Sequence, residues 1–130
     1  MRVLFVDDNA LNRSVVGHMM AAAGIALDEA PEARTGLAMA GAQDYDLILM
    51  DLRMPGMDGL AAIQQIRSGG DRGGRVPIIV VTADSAVDIR SRCLAAGADD
   101  LVQKPVIMDV LFDSIARVMS AAPDGLALLA

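Results

Sequence analysis

Pro77-Ile78-Ile79-Val80-Val81-Thr82-Ala83 contains the most hydrophobic strand-length run of the chain, and no polar residue alternates through it. A strand with that pattern is covered on both faces, as in a parallel sheet clothed by helices. Outward from it the same unit recurs. Residues 3–6 are a short run rich in β-formers. Asn9 is placed to cap a helix whose apolar set, Leu11, Val15, Met19 and Ala23, recurs every four residues, and Gly24 is placed to end it. Residues 25–29 read as a second strand, and Pro31 suits the first turn of a small-residue helix running to about Gly41. Residues 47–50 read as the third strand, and a Pro55-Gly56 loop leads into a helix with Leu60, Ile63 and Ile66. Residues 68–75 hold four glycines and read as a mobile loop. Beyond 77–81, Ser85 and Asp88 have capping-box spacing and Gly97 ends that helix. Residues 101–103 are a fifth strand, and 108–119 a last helix with Leu111, Phe112, Ile115, Val118 and Met119 on its apolar face. Five strand–helix units in alternation predict an α/β fold, a doubly wound parallel sheet with helices on both faces.

Composition narrows the setting. The 130 residues are 54% hydrophobic and carry a net charge of −6, enough for one domain with a core of its own. The apolar stretches are short and broken by glycine or charge, which excludes a transmembrane span. The N-terminus turns acidic after Val6, too soon for a signal peptide. A pI near 4.5 argues against nucleic acid or an anionic membrane as partner of this domain. The one cysteine, Cys93, has no internal disulfide partner and suits a reducing, cytoplasmic setting.

In doubly wound sheets, ligands sit beyond the carboxyl ends of the strands. The first strand ends in Asp7-Asp8, the third in Asp51, the fourth in Thr82-Ala83 and the fifth in Lys104-Pro105. Three carboxylates brought to one edge repel one another and call for a cation. Oxygen ligands without histidine or cysteine select a hard metal, Mg²⁺ before Zn²⁺. Such a Mg²⁺ keeps positions open for phosphate oxygens, and Thr82 and Lys104 could complete a phosphoryl-binding site with a hydroxyl and a point charge.

Val6-Asp7-Asp8-Asn9, the run from Met50 to Gly59 (MDLRMPGMDG), Thr82-Ala83 and Lys104-Pro105, in that order, resemble the receiver domain of two-component response regulators, a chemotaxis-regulator-like family. The similarity covers roughly residues 2–119. It implies a flavodoxin-like (βα)5 fold with strand order 2-1-3-4-5, a receiver over 1–121, and a tail or start of a linker over 122–130. It implies that Asp51 accepts a phosphoryl group from a phosphohistidine in a Mg²⁺-dependent reaction. Asp8, Asp51 and the backbone carbonyl of Arg53 would bind the metal directly, and Asp7 mainly through a metal-bound water. Lys104 would pair with the phosphoryl oxygens, and Thr82 would swing to hydrogen-bond one of them. Ala83 leaves room beside Asp51. The family's switch couples the threonine to an aromatic three residues before the lysine, where this chain has Leu101.

The segments 8–13 and 92–100 resemble receivers of hybrid histidine kinases. The implied partners are a histidine kinase or a histidine phosphotransfer domain, with no metabolite turned over; a stand-alone single-domain regulator and a binding-only receiver are the alternatives. An aspartate-nucleophile phosphatase would need Asp-x-Asp on the first strand, where this chain has the adjacent pair Asp7-Asp8. A flavodoxin-like nucleotide binder would need a Gly/Ser/Thr-rich phosphate cradle there. Asp58-Gly59 reads as a helix start, His18 as a surface residue, Cys93 as a small apolar side chain, and Met54 and Met57 as adaptable loop residues. Arg53 and Asp84 flank the expected phosphoryl site and could tune how easily water reaches it.

Overall fold

The computed structural model describes residues 1–70 and 74–121. The loop expected over 68–75 falls partly, and the tail expected over 122–130 wholly, outside the described residues. Five strands, β1 (Arg2–Val6), β2 (Ala26–Ala30), β3 (Leu47–Met50), β4 (Ile78–Thr82) and β5 (Asp100–Gln103), form one parallel sheet in the order β2-β1-β3-β4-β5. The helices are α1 (Ala10–Ala22), α2 (Ala33–Ala42), α3 (Gly59–Arg67), α4 (Ile89–Ala96) and α5 (Met108–Ala121). Among the described residues no helix is long and apolar enough to cross a membrane.

Strand periodicity sorts the core into two layers, because successive side chains leave a strand on opposite faces. Leu4, Val6, Ile48, Met50, Ile78 and Val80 join Ala62, Ile63 and Ile66 of α3 and Ile89 and Cys93 of α4. Val3, Phe5, Leu47, Leu49, Ile79 and Val81 join Val16 and Met20 of α1 and Leu111, Ile115 and Met119 of α5. β3 and β4 are buried along their whole length, which is why their sequences run apolar without alternation.

Four local expectations change. The buried stripe of α1 is Val16 and Met20, while Leu11 is 71% exposed and Val15 is also exposed. A four-residue repeat drifts around a helix of 3.6 residues per turn, so Leu11 and Val15 sit off the packed side. Pro31 lies before α2, whose N-cap is Glu32. Asp88 caps α4 without a side-chain hydrogen bond; instead Asp84 turns the preceding loop by accepting from the Ala86 N–H at 2.9 Å. Met54 is buried in the core under α3 rather than offered to a partner.

Candidate functional site

The register of the sheet builds the site. Val6 pairs with Met50, so the residues that follow, Asp7 and Asp51, leave the sheet side by side, and the Asp51 N–H donates to the Val6 carbonyl at 2.9 Å. Thr82 pairs with Gln103, and the Lys104 N–H donates to the Thr82 carbonyl at 2.8 Å. Asp7, Asp8 and Asp51 each bring a carboxylate oxygen within 4.8 Å of the others. Lys104 Nζ stands 3.0 Å from Asp7 Oδ2 and 3.4 Å from Asp51 Oδ1. Asp7, Asp51 and Thr82 are buried, and Asp8 faces solvent.

Each carboxylate is held differently. Asp7 accepts from the Asn9 N–H at 2.9 Å and from Asn12 Nδ2 at 3.4 Å, besides its ion pair with Lys104. Asp51 accepts from the Arg53 N–H at 3.4 Å. Burial, and after it the charge of Asp7, push the Asp51 carboxyl above its ordinary range, and Lys104 pulls against that shift. Among the described residues, no hydrogen bond or ion pair holds the Asp8 carboxylate. The donor set is oxygen-rich and crowded with negative charge, which fits a hard divalent cation at the exposed Asp8 side.

Two loops close over this edge. Thr82 Oγ1 accepts from the Asp84 N–H at 3.1 Å, the Asp84 carbonyl accepts from Gln103 Nε2 at 2.8 Å, and Asp84 Oδ2 pairs with Arg53 NH2 at 2.9 Å. The Ala86 N–H and Arg53 hold the Asp84 carboxyl below the usual carboxylate range. Ala83 beside them is exposed, and Leu101 is half-buried against the layer of α3 and α4. Asp58 caps α3, accepting from the Leu60 N–H at 3.0 Å, as its place in the sequence suggests.

Residues 3–116 match the response regulator receiver domain. The chain belongs to that family. The sensor histidine kinase RcsC of Salmonella typhimurium is 33% identical to this receiver over 116 residues, 89% of the chain and 12% of RcsC. The chain spans less than half the length of the curated relatives it matches. Among solved structures, the receiver domain of the sensor histidine kinase PA1611 of Pseudomonas aeruginosa, which has a magnesium ion coordinated in its active-site cleft, superposes with a TM-score of 0.84. It is 34% identical, and the match covers 92% of this chain and 98% of that one. The Saccharomyces cerevisiae receiver of Ssk1, crystallised with the histidine phosphotransfer protein Ypd1, gives a TM-score of 0.85 at 27% identity, covering 95% and 93% of the two chains.

Asp7, Asp8, Asp51, Arg53 and Lys104 lie in the loops that follow β1, β3 and β5, Thr82 is the last residue of β4, and Leu101 sits within β5. Asn12 and Arg13, quoted only as part of a resembling segment, turn out to contact Asp7: Arg13 NH1 donates to the Asp7 carbonyl at 2.7 Å. Asp100 likewise carries no signal in the sequence. It is buried at the start of β5, and its carboxylate takes Ser114 and Arg117 of α5 and Arg90 of α4. No sequence spacing announces either contact, because both depend on where a helix lands against a strand end.

Proposed function

We propose that this receiver takes a phosphoryl group from a phosphohistidine onto Asp51 and serves as a relay module of the hybrid-kinase type. The observation that carries the reading is the placement of Lys104 Nζ between Asp7 and Asp51, at 3.0 and 3.4 Å, beside three carboxylates at one sheet edge. In the transfer, a P–N bond to the donor imidazole breaks, a P–O bond to an Asp51 carboxylate oxygen forms, and the imidazole takes up a proton. The protein positions groups and neutralises charge, which is most of what phosphoryl transfer asks of it. Asp8, Asp51 and the Arg53 carbonyl would hold Mg²⁺, which would supply positive charge at the phosphoryl oxygens. Asp7, whose two carboxylate oxygens already accept from protein donors, suits a role through water. Lys104 is within reach of Asp51 to pair with the transferred group, and the Thr82 hydroxyl keeps its own proton to donate while it accepts from Asp84.

The donor is a histidine kinase or a histidine phosphotransfer protein, a reading supported by the similarity to RcsC and to the Ypd1-bound receiver. Leu101 gives no ring with a polar tip to rotate inward, which favours handing the phosphoryl group on over driving an attached output. Incubation with acetyl phosphate and Mg²⁺, followed by intact-mass spectrometry, tests the chemistry. The expected result is one added phosphoryl group on the wild-type chain and none on Asp51→Asn. An adduct that persists in Asp51→Asn would place the acceptor elsewhere.

A further inference from the structure

Of the carboxylates at the sheet edge, Asp8 is the one whose side chain nothing in the described structure holds. Its direction is therefore set by its backbone, and in particular by the peptide unit joining Asp7 to Asp8. That unit's carbonyl is where Arg13 arrives: NH1 donates to the Asp7 oxygen at 2.7 Å, and Nε pairs with Glu29 of β2 at 3.3 Å. The Arg13 side chain is only 18% exposed, against 46% for Glu29, so the guanidinium is packed where it makes the backbone contact. Asn9 caps α1 and fixes its first turn immediately after Asp8, which sets the base from which Arg13 reaches back.

We infer that Arg13 is a positioning residue for the cation site: it clamps the Asp7–Asp8 peptide and so aims the unsupported Asp8 carboxylate at the metal. This rests on the reading that Asp8 is a metal ligand. A guanidinium near a cation site also opposes the cation by its charge, so the two effects have opposite signs. The clamp should win, because Glu29 offsets part of the charge and the contact to the carbonyl is direct. Groups that orient metal ligands from behind typically change metal affinity by about 10- to 100-fold when removed.

The test is calorimetric titration with Mg²⁺ alone, on the wild type, Arg13→Met, Arg13→Lys and Glu29→Gln. Arg13→Met is expected to weaken Mg²⁺ binding about tenfold. Arg13→Lys, which keeps one donor, should recover part of that loss. Glu29→Gln should lower the melting temperature yet leave the Mg²⁺ dissociation constant within about twofold, because it leaves the carbonyl contact in place. Unchanged or tighter Mg²⁺ binding by Arg13→Met would overturn the inference, as would an equal loss in Glu29→Gln, which would make Arg13 a general brace. If Arg13→Met does not fold, Arg13→Ser, whose side chain is too short to reach the Asp7 carbonyl, takes its place, and Mg²⁺ binding by it as in the wild type would overturn the inference. Absence of Mg²⁺ binding by the wild type would instead overturn the phosphoacceptor reading, and this inference with it.

Discussion

A single missing methyl group shapes the acceptor loop. A Cβ on Gly59 would lie 2.5 Å from the Asp51 carbonyl oxygen and 2.6 Å from Leu52 Cα, both backbone atoms that have nowhere to go. The first residue of α3 therefore sits directly on the chain leaving β3, and its N–H donates to the Leu52 carbonyl at 3.0 Å. Gly59→Ala is expected to destabilise the fold by about 1–3 kcal/mol, the range for overpacking, and to slow Asp51 phosphorylation by displacing the loop. Urea unfolding and acetyl phosphate labelling check the two effects separately. Asp58-Gly59 reads in the sequence as a helix start, and the structure agrees: Asp58 caps α3 and Gly59 is its first residue. The demand on Gly59 comes from a neighbouring segment, and a residue read alone does not show what will press against it.

The strands and helices are legible because β1, β3 and β4 are short apolar runs and the helices are punctuated by residues such as Asn9, Gly24, Asp58 and Gly97. What the sequence misstates are faces and caps: Leu11 and Val15 form an apolar repeat yet lie on the open side of α1, and Ser85 and Asp88 have capping-box spacing, yet Asp88 stands at the N-cap of α4 without a side-chain hydrogen bond. Periodicity says that a helix has a side, but packing decides which side is covered. Asp100 works at this scale, since one buried carboxylate ties α4 and α5 to β5. Burial works to raise its carboxyl, but hydrogen bonds from Ser114, the Leu101 backbone and the two arginines outweigh it and hold the group below its ordinary value. A depressed folded-state pKa adds stability that is present above the unfolded value and lost as pH falls through the folded one. Asp100→Asn should therefore lower the melting temperature at pH 7. The gap to wild type should narrow as the pH falls below about 4, where the unfolded carboxylate protonates, and be smallest once the folded one has protonated too. Melting curves across pH 2.5–7 would show the convergence; a gap that stays constant would mean that Asp100 contributes shape and not charge.

For the whole molecule, the site is stabilising or destabilising according to which carboxylate is asked. Burial and the charge of Asp7 both oppose a charge on Asp51, so without metal that charge weakens the fold, whereas Asp7 accepts from Asn9, Asn12 and Lys104. In EDTA, Asp51→Asn should melt a few degrees above wild type and Asp7→Asn below it, as scanning calorimetry would register. An increase for both would mean that repulsion alone governs the edge. The expectation from sequence treats the three carboxylates alike, because only the folded chain assigns Lys104 and the first turn of α1 to Asp7. The parallel strand order has one more result. Asp7 and Lys104 stand at opposite ends of the chain, on strands that share no ladder, and are joined only across β3 and β4. The lysine can reach the carboxylates only after the last strand has docked, and such distant pairings form slowly. A chain still emerging from the ribosome carries Asp51 long before Lys104, so the ammonium joins the carboxylate edge only when β5 takes its place beside β4.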